Sequence, residues 1–590
     1  MTNTEITRLL RQIAAAYSIT DEKKYRFQII AYQKAADNIE SIHTEITDLY
    51  REGKLKTLPG IGASMQNYLQ ELCETGQVKH FEEVLATIPE AVYPLLDIPS
   101  FGPKKAYKLV TAFQLASPEN VMQDVMSLAK KGKIAPLAGF GEKSQSDIIR
   151  ALEEYALGKT KTARMVLPYA NELAEKIVAY LKKSPDVLHV SPLGSLRRKR
   201  ETVGDIDMAV ATNHPAEVLT YFTQYPGLER VIEKGDRTSS IIVSSGKQID
   251  LMVQPPEAFG SLLQHFTGSK AHNVHLREYA LTKRLSLSEY GIRKKDDPEK
   301  KLTQYATEEA FYQALELDWI PPEIREDTGE IELARDKTLP KLLELKDMKG
   351  DFHIHPSYPI EPSHDMGRDS METMLDKAIS LNYEYLGFSE HHPSTGNHTK
   401  EQIMNILIKR KEYIDKLKEK YNKNIRIFSL LEIDIQPNGN LAMDDDALAL
   451  LDGAIVSIHS GFSMDKQQIT DRILKGLSHP KAKILAHPTG RLLNQRAGYE
   501  VDWERIFAFC EEHHKALEIN ASPLRLDLSD ILVREAVKRK IPLFIDTDSH
   551  AVDQMELMEY GVSVARRGWA TKDDIVNALP YNEVVEWFNK

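Results

Sequence analysis

The stretch LGSLRRKRETVGDIDMAV, residues 193–210, decides how the chain is read. It ends in a strand-like apolar run on which Asp205 and Asp207 stand two apart, so both carboxylates point to one face. A later run, QIDLMV (248–253), supplies Asp250, and with SIIVSS (240–245) it flanks a Ser-Gly turn and reads as a hairpin. Three carboxylates on one strand edge make a hard-oxygen site suited to Mg²⁺. Two such ions fit an in-line displacement at phosphorus, one lowering the pKa of the attacking hydroxyl and the other holding a triphosphate. Upstream, Gly194-Ser195 precedes a predicted helix and can offer backbone N–H groups and a hydroxyl to phosphate. Arg197 and Arg198 can add charge-assisted bonds to the outer phosphates. A lone Asp-x-Asp says little. Gly-Ser, a Gly-Asp-x-Asp beginning ten residues after that glycine, and a later strand aspartate together say much more.

On the N-terminal side, residues 1–155 read as helical, with apolar residues at three and four spacing in ITRLLRQIAAAY and FQIIAYQKAADNIESI. Between the helices lie LPGIG (58–62), IPSFG (98–102) and LAGFG (137–141), each followed by a helical segment. Glycines there let a backbone approach a phosphate closely, at a helix N-terminus where the dipole favours negative charge. The charge agrees. The whole chain carries −11, yet residues 101–200 hold 18 Lys+Arg against 9 Asp+Glu. One block is therefore basic enough to meet phosphates within an acidic protein.

On the C-terminal side, PPEIREDTGEIELARDKTLP (321–340) is charged and proline-flanked, and reads as a linker. Beyond it, short apolar strands alternate with helices in about seven β/α units, which suggests a barrel-like α/β domain. Twelve of the 19 histidines lie after residue 336. His353 and His355 form an HxH pair and Asp365 follows in a loop. His391, Glu432, His459, His487, Asp548 and His550 come next, nearly all at ends of predicted strands. Strand ends of a barrel converge on one face, so six histidines and three carboxylates there form a multinuclear site for Mn²⁺, Zn²⁺ or Fe.

The length of 590 residues argues for several domains, and 42% hydrophobic with 28% charged residues is ordinary globular composition, which excludes a disordered chain. No run of 18 apolar residues and no secretory leader appear, so no membrane span is expected. Cys73 and Cys510 are the only cysteines, which excludes a disulfide framework and a cysteine-based zinc module. A reducing, cytoplasmic setting is expected.

The first constellation resembles the nucleotidyltransferase palm, more narrowly that of the family X DNA polymerases, and HFTGSKAHNVHLREYA (265–280) resembles their thumb segment. The resemblance implies triphosphate roles for Gly194, Ser195, Arg198 and Gly204, and metal roles for Asp205, Asp207 and Asp250. It implies that Phe266 and Gly268 line the sugar and that Asn273 faces the minor-groove edge of the base pair. His265 stands where the family has tyrosine. LPGIG and IPSFGPKKA resemble helix-hairpin-helix motifs, which implies DNA contacts at Gly60, Gly62, Gly102, Lys104 and Lys105 and admits a monovalent cation there. Where the family carries a lyase lysine, six residues past the second glycine of the first turn, this chain has Tyr68, so no 5′-lyase chemistry is expected.

The second half resembles the polymerase and histidinol phosphatase (PHP) domain, a trinuclear-metal phosphoesterase, through GDFHIH, AHPTGRLL, EINASPLRLDL and GVSVARRGW. SHDMG replaces the family's Ser-Asp-Gly, so His364 competes with Asp365 as a ligand. SEH replaces Thr-Asp-His and puts Glu390 in the usual aspartate position.

Both halves in this order resemble the bacterial family X polymerase with a C-terminal phosphoesterase. The resemblance implies a helical domain (1–85), a fingers-like helical domain (86–160), a palm (161–260), a thumb (261–320), a linker (321–344) and a PHP domain (345–590). It implies short-gap synthesis in repair with 3′ end trimming, Mg²⁺ or Mn²⁺ in the palm, and up to three divalent ions in the PHP domain. Gapped or nicked DNA and dNTPs are the implied partners of a monomer associated with the nucleoid. A non-templated nucleotidyltransferase fused to a small-molecule phosphoesterase is the alternative, but a small substrate needs neither the glycine turns nor the basic block.

Overall fold

The computed structural model describes residues 3–41, 46, 50, 55, 61–96, 98, 101–156, 164–243, 246–299, 301–462, 464–493 and 498–590. The chain divides into two compact units, Met1–Ala163 and Arg164–Lys590. No described helix is long and apolar enough to cross a membrane.

The first unit is helical. Asn3–Asp21, Arg26–Ser41, Ala63–Thr75 and Lys79–Leu85 bury one apolar cluster that includes Leu10, Ile13, Leu69 and Phe81. Val92–Leu96, Pro103–Ala112, Val121–Lys130 and Glu142–Ala156 bury a second, around Leu95, Leu109, Val125 and Leu152. Pro103 at the first helical position suits its missing N–H and fixed φ. Gly76, at φ 76°, closes Ala63–Thr75 in the left-handed conformation.

The second unit opens with a five-stranded sheet: β1 (His189–Pro192), β2 (Ile206–Ala211), β3 (Leu228–Lys234), β4 (Thr238–Val243) and β5 (Gln248–Gln254), in the order β1-β2-β5-β4-β3. The expected hairpin is β4–β5, antiparallel. β2 and β5 run parallel with Asp207 opposite Asp250, so the sheet itself brings these carboxylates together. Helices Phe259–Thr267, Lys270–Thr282 and Glu308–Ala314 and three short antiparallel strands follow.

The stretch 321–344 is not a solvated linker. Glu330–Arg335 is a helix, Ile324, Ile331, Ala334 and Leu342 join a core with Phe311 and Trp569, and Arg325 and Glu330 are fully buried. Its charges mislead because their partners lie far away in sequence: Arg325 pairs with Glu308, and Glu330 with His272.

Among the described residues, the C-terminal region has eight parallel strands in two sheets rather than about seven units of one barrel. β6 (Gly350–Asp351), β7 (Tyr385–Phe388) and β8 (Arg426–Ser429) form one sheet. β9 (Glu432–Asp434), β10 (Ala454–Ser457), β11 (Ala482–Leu485), β12 (Ala516–Asn520) and β13 (Leu543–Asp546) form another, in sequence order. Only isolated bridges, His391–Glu432 and Ile354–Ser549, join their edges, and no closed barrel forms among the described residues. The ladder breaks between β8 and β9, only two residues apart, where Leu430 and Leu431 carry the chain from one sheet to the next. Strands such as β7, β10 and β13 are buried throughout, as parallel strands covered on both faces are. The crossover helices Lys400–Tyr421 and Lys466–Leu477 start with capping boxes, Thr399/Gln402 and Asp465/Gln468. One continuous apolar cluster runs from Leu167 and Ile206 to Ile433 and Ile545, so this second unit shares a core.

Candidate active sites

The carboxylate site lies at the start of β2. Asp205 immediately precedes the strand and is exposed, while Asp207 and Asp250 are half-buried. Burial, then the charges of Asp205 and Asp250, push the Asp207 carboxyl up to about 7, against the pull of Arg198. Gly194, at φ 55°, packs so closely on this group that a Cβ would sit 2.4 Å from Asp207 Oδ2. Gly194–Arg197 is a single helical turn, so Ser195 lies within it rather than before it. Gly204 lies beside Arg164. Gln248 was not foreseen: its Nε2 donates to both oxygens of Asp250 at 3.0 Å, from two residues away on the same strand face.

Phe266 packs beside His265 and against the cluster of Leu193, Ala209 and Leu262. Asn273 is held by the preceding helix, donating to the His265 carbonyl at 2.6 Å and accepting from Gln264 at 2.9 Å. Arg198, an expected triphosphate ligand, donates to Glu326 at 3.1 Å and to the Thr267 carbonyl at 2.6 Å, next to Gly268. Arg197 forms a bidentate pair with Glu308 at 2.9 and 2.6 Å. The basic helical turn is thus tied to the following helices.

In the first unit, Gly62 and Gly102 open the helices Ala63–Thr75 and Pro103–Ala112 with extended backbone, and nothing lies within 4 Å of a Cβ at either position. Neither glycine is required by its own fold, so the open space above it is the feature to explain. Gly60 lies outside the described residues, as do Lys54 and Lys56, the nearby lysines that could stand in for the missing lyase lysine. Lys104 and Lys105 are exposed, and Lys104 pairs with Glu22 at 2.5 Å. Tyr68 stacks on His80, whose Nε2 is 2.9 Å from the Tyr17 hydroxyl.

The histidine site gathers all nine expected residues. Glu432 is its centre: one carboxylate oxygen is 3.1 Å from His353 Nε2, 3.1 Å from His391 Nδ1 and 3.5 Å from His355 Nε2. The other is 3.0 Å from His487 Nε2 and 3.3 Å from His459 Nε2. Asp548 Oδ1 lies 3.2 Å from His355 Nε2, and Asp365 bridges His391 at 3.3 Å and His550 at 3.0 Å. Asp365 faces His391 and His550, while His364 packs on His391 and His459 and meets Asp434. The fold produces this because each residue follows, or in Glu432's case opens, a parallel strand, while Asp365 reaches in from a loop.

The residues fit metal ions. His355 is fully buried with neither ring nitrogen hydrogen-bonded, and burial, with the neighbouring histidines, holds its imidazole down at about 3, a neutral ligand. Groups of His355, His391 and His550, and of His353, His355 and Asp548, converge within ligand distance. Five imidazole nitrogens lie 3.0–3.5 Å from the two Glu432 oxygens, yet His353 Nε2, His355 Nε2 and His391 Nδ1 make no hydrogen bond there, an arrangement that suits cations between them.

Around this set stand partners that sequence reasoning missed. Glu518 sits 2.5 Å from His353 Nδ1 and accepts from the His487 backbone N–H at 2.6 Å. Asp434 accepts from His459 Nδ1 at 2.8 Å, and Asn520 donates to Asp548 at 3.2 Å. Such groups fix tautomer and ring orientation. Asp434 was legible in principle, two residues beyond Glu432 on one strand face. Glu390 is no ligand: it is buried in a bidentate pair with Arg410, 2.7 Å at each oxygen.

The two sites are physically joined. Arg567 is almost fully buried and donates to the Arg198 carbonyl at 2.8 Å, to Glu326 at 3.1 Å and to Asp530 at 2.6 Å. Arg491, four residues after His487, pairs with Glu201 at 2.7 Å. The loop between Gly194 and Asp205 is therefore held from the C-terminal region at two points.

The second unit thus carries three carboxylates at one sheet edge, followed in sequence by a histidine-rich cluster. The comparisons with known proteins agree. The DNA polymerase beta thumb family matches residues 262–326, and a helix-hairpin-helix domain family matches residues 1–78. The DNA polymerase/3′-5′ exonuclease PolX of Bacillus subtilis (strain 168) is 33% identical over 589 residues, covering 98% of each chain. DNA polymerase lambda of Rattus norvegicus is 24% identical over 312 residues, 49% of each chain, and that of Arabidopsis thaliana is 24% identical over 319 residues, 49% of this chain and 54% of its own. The chain belongs to the bacterial PolX group of family X DNA polymerases.

Proposed function

We infer that this chain is a template-directed DNA polymerase with 3′-5′ exonuclease activity, which fills short gaps in DNA repair. The observation that carries this reading is the presence, in one chain matched end to end by a PolX, of both the carboxylate trio and the nine-residue histidine cluster. Asp205, Asp207 and Asp250 would hold Mg²⁺ or Mn²⁺. His353, His355, Asp365, His391, Glu432, His459, His487, Asp548 and His550, on a distorted PHP-type barrel, would hold up to three divalent ions. In both sites the bound ions lower the pKa of an attacking oxygen and neutralise charge at phosphorus.

The side chains do the rest. Gln248 aims Asp250, and Gly194 leaves room for the Asp207 carboxylate. Asp207, whose carboxyl burial and its two neighbours push up to about 7 in the absence of metal, would act as a ligand in its deprotonated form. Phe266, Gly268 and Asn273 are read, from the likeness of 265–280 to the thumb segment, as lining the sugar and base of a dNTP. In the histidine site Glu518 orients His353, and the buried His353, His355 and His487 form a dry floor. Asp365 and His550 stand at the exposed rim, the side from which a 3′ end would enter. Abasic-site endonuclease and 3′-phosphodiesterase activity would use the same cluster. The enzyme is read as a cytoplasmic, nucleoid-associated monomer acting on gapped or nicked DNA.

A 5′-labelled primer on one-nucleotide-gapped DNA tests both activities in one gel, with and without dNTPs. Template-independent addition, or no addition on gapped DNA, would overturn the polymerase reading. The helical unit is read as binding gapped DNA without 5′-lyase chemistry, since Tyr68 is a phenol stacked on His80 and cannot form an imine. Borohydride trapping on 5′-deoxyribose phosphate DNA should give no adduct, and an adduct abolished by a lysine change within residues 1–85 would refute this.

A further inference from the structure

We propose that Glu326 is a positioning residue for the incoming nucleotide: its carboxylate holds the Arg198 guanidinium until a triphosphate takes that place, and Arg567 keeps the carboxylate neutralised once Arg198 has left it. The proposal rests on the polymerase reading above and deepens it.

Arg198 stands where an anion carried by the metal carboxylates would arrive. Its backbone N–H donates to the Gly194 carbonyl at 3.2 Å, closing the turn whose glycine packs on Asp207. Its charge is felt at Asp207, where it opposes the upward shift of the carboxyl. On the other side, Arg198 Nη1 lies 3.0 Å from where a Cβ of Gly268 would stand. Burial pulls the Arg198 guanidinium down and Glu326 opposes that pull, so the charge needs an anion beside it. In the free enzyme that anion is Glu326, whose Oε1 accepts from Arg198 Nε at 3.1 Å.

Glu326 is placed to release Arg198 without becoming an orphan. The same Oε1 accepts from Arg567 Nη1, also at 3.1 Å. Burial raises the Glu326 carboxyl, but Arg567, then Arg198 and Arg200, outweigh it and hold it below the ordinary range. Arg567 is itself fixed, with Nε and Nη2 donating to Asp530 Oδ2 at 2.9 and 2.6 Å. If Arg198 turns to a phosphate, Glu326 therefore remains a paired charge, which avoids the main cost of opening a buried ion pair. Arg200 lies 3.8 Å from the same Asp530 oxygen. Three guanidinium groups, of Arg198, Arg200 and Arg567, thus share the two carboxylates of Glu326 and Asp530. The positive charge in excess suits a phosphate oxygen.

The sign of one substitution separates this exchange from a permanent structural pair. Full-length protein on one-nucleotide-gapped DNA with a dideoxy-terminated primer is titrated with the matched dNTP in Mg²⁺, and with inorganic tripolyphosphate as a competitor. Glu326→Gln keeps the shape and loses the charge, and should tighten both anions by about three- to tenfold, because Arg198 no longer has to be freed. The KM for dNTP should fall while kcat stays within about twofold of the wild type. Glu326→Ser should tighten both anions as well, and Glu326→Asp should return toward wild-type affinity. A structural pair predicts weaker binding in the Gln and Ser variants. Equal or weaker binding of both anions there would overturn the proposal. Arg198→Ala should weaken dNTP by about tenfold or more. Adding Glu326→Gln to it should then change nothing. Tightening that persists in this double variant, or unchanged dNTP affinity in Arg198→Ala, would also overturn the proposal. Absence of gap filling by the wild type is the separate result that sinks the polymerase reading.

Discussion

The two sites of the second unit are built on opposite plans. The carboxylate site is open: Asp205 is exposed, Asp207 and Asp250 are half-buried, and among the described residues one side chain, Gln248, is seen to hold Asp250. The histidine site is closed: His353, His355, His391, Glu432 and His487 are each at most 3% exposed, with Glu518, Asp434 and Asn520 bonded behind the ligands. On the proposed reading, the open, mutually repelling trio would take its ions with the substrate, and the buried imidazoles would surround resident ions. The difference teaches that one chain can keep two metal chemistries apart by burial and outer hydrogen bonding as much as by ligand type.

The sharpest way to break this comparison is to remove each site in turn. Asp205→Ala with Asp207→Ala should abolish primer extension and leave shortening intact, while His353→Ala with His355→Ala should do the reverse. Loss of both activities in either double variant, with DNA binding unchanged, would mean that the sites are not independent. The next largest effect concerns the residue that ties them together. Arg567→Ala leaves Asp530 and Glu326 without their buried partner and should destabilise the second unit by about 3–5 kcal/mol. It should also raise the KM for dNTP by about tenfold, because the Arg198 carbonyl loses its anchor. Arg567→Lys should recover part of that KM shift. An unchanged KM would limit Arg567 to a structural role.

A third test concerns the pair beneath the carboxylate site. Burial alone would raise the Glu308 carboxyl, but Arg325 and Arg197 outweigh it and hold it at about 2. A depressed carboxylate contributes stability that is present above its ordinary pKa near 4.5 and lost as pH falls through about 2. In urea unfolding, the advantage of wild type over Glu308→Gln should shrink by about 3 kcal/mol across that window. A constant difference would place the ion pair outside the stability of the fold. The smallest effect belongs to the helical unit. Lys104→Ala with Lys105→Ala should make the log–log salt dependence of DNA binding shallower by about 1–2, since each phosphate that is no longer neutralised takes about 0.9 from the slope. An unaltered slope would remove these lysines from the DNA interface.

Much of this was legible in the sequence because it is local. The strand periodicity at Asp205 and Asp207, the β4–β5 hairpin, the helical first unit and the strand-end histidines all follow from spacing over a few residues. Pairings between elements that no local spacing connects were not legible. Segment 321–344 reads as charged and linker-like, yet Arg325 and Glu330 are buried because Glu308 and His272 meet them in space. Glu390 stands where the resembled motif has aspartate, and only the fold shows that it is paired with Arg410. His364 and Asp365 are adjacent, and both are residue types that bind metals; only the fold turns one to Asp434 and the other to His391 and His550. The sequence by itself determined which chemical groups exist and on which strand ends and turns they fall, since backbone periodicity is set by near neighbours. The tertiary structure alone decided which charges neutralise one another, where the parallel sheet breaks, and how Arg567 and Arg491 tie residues 198–201 to the histidine domain. Those outcomes depend on desolvation and on partners that no local spacing encodes.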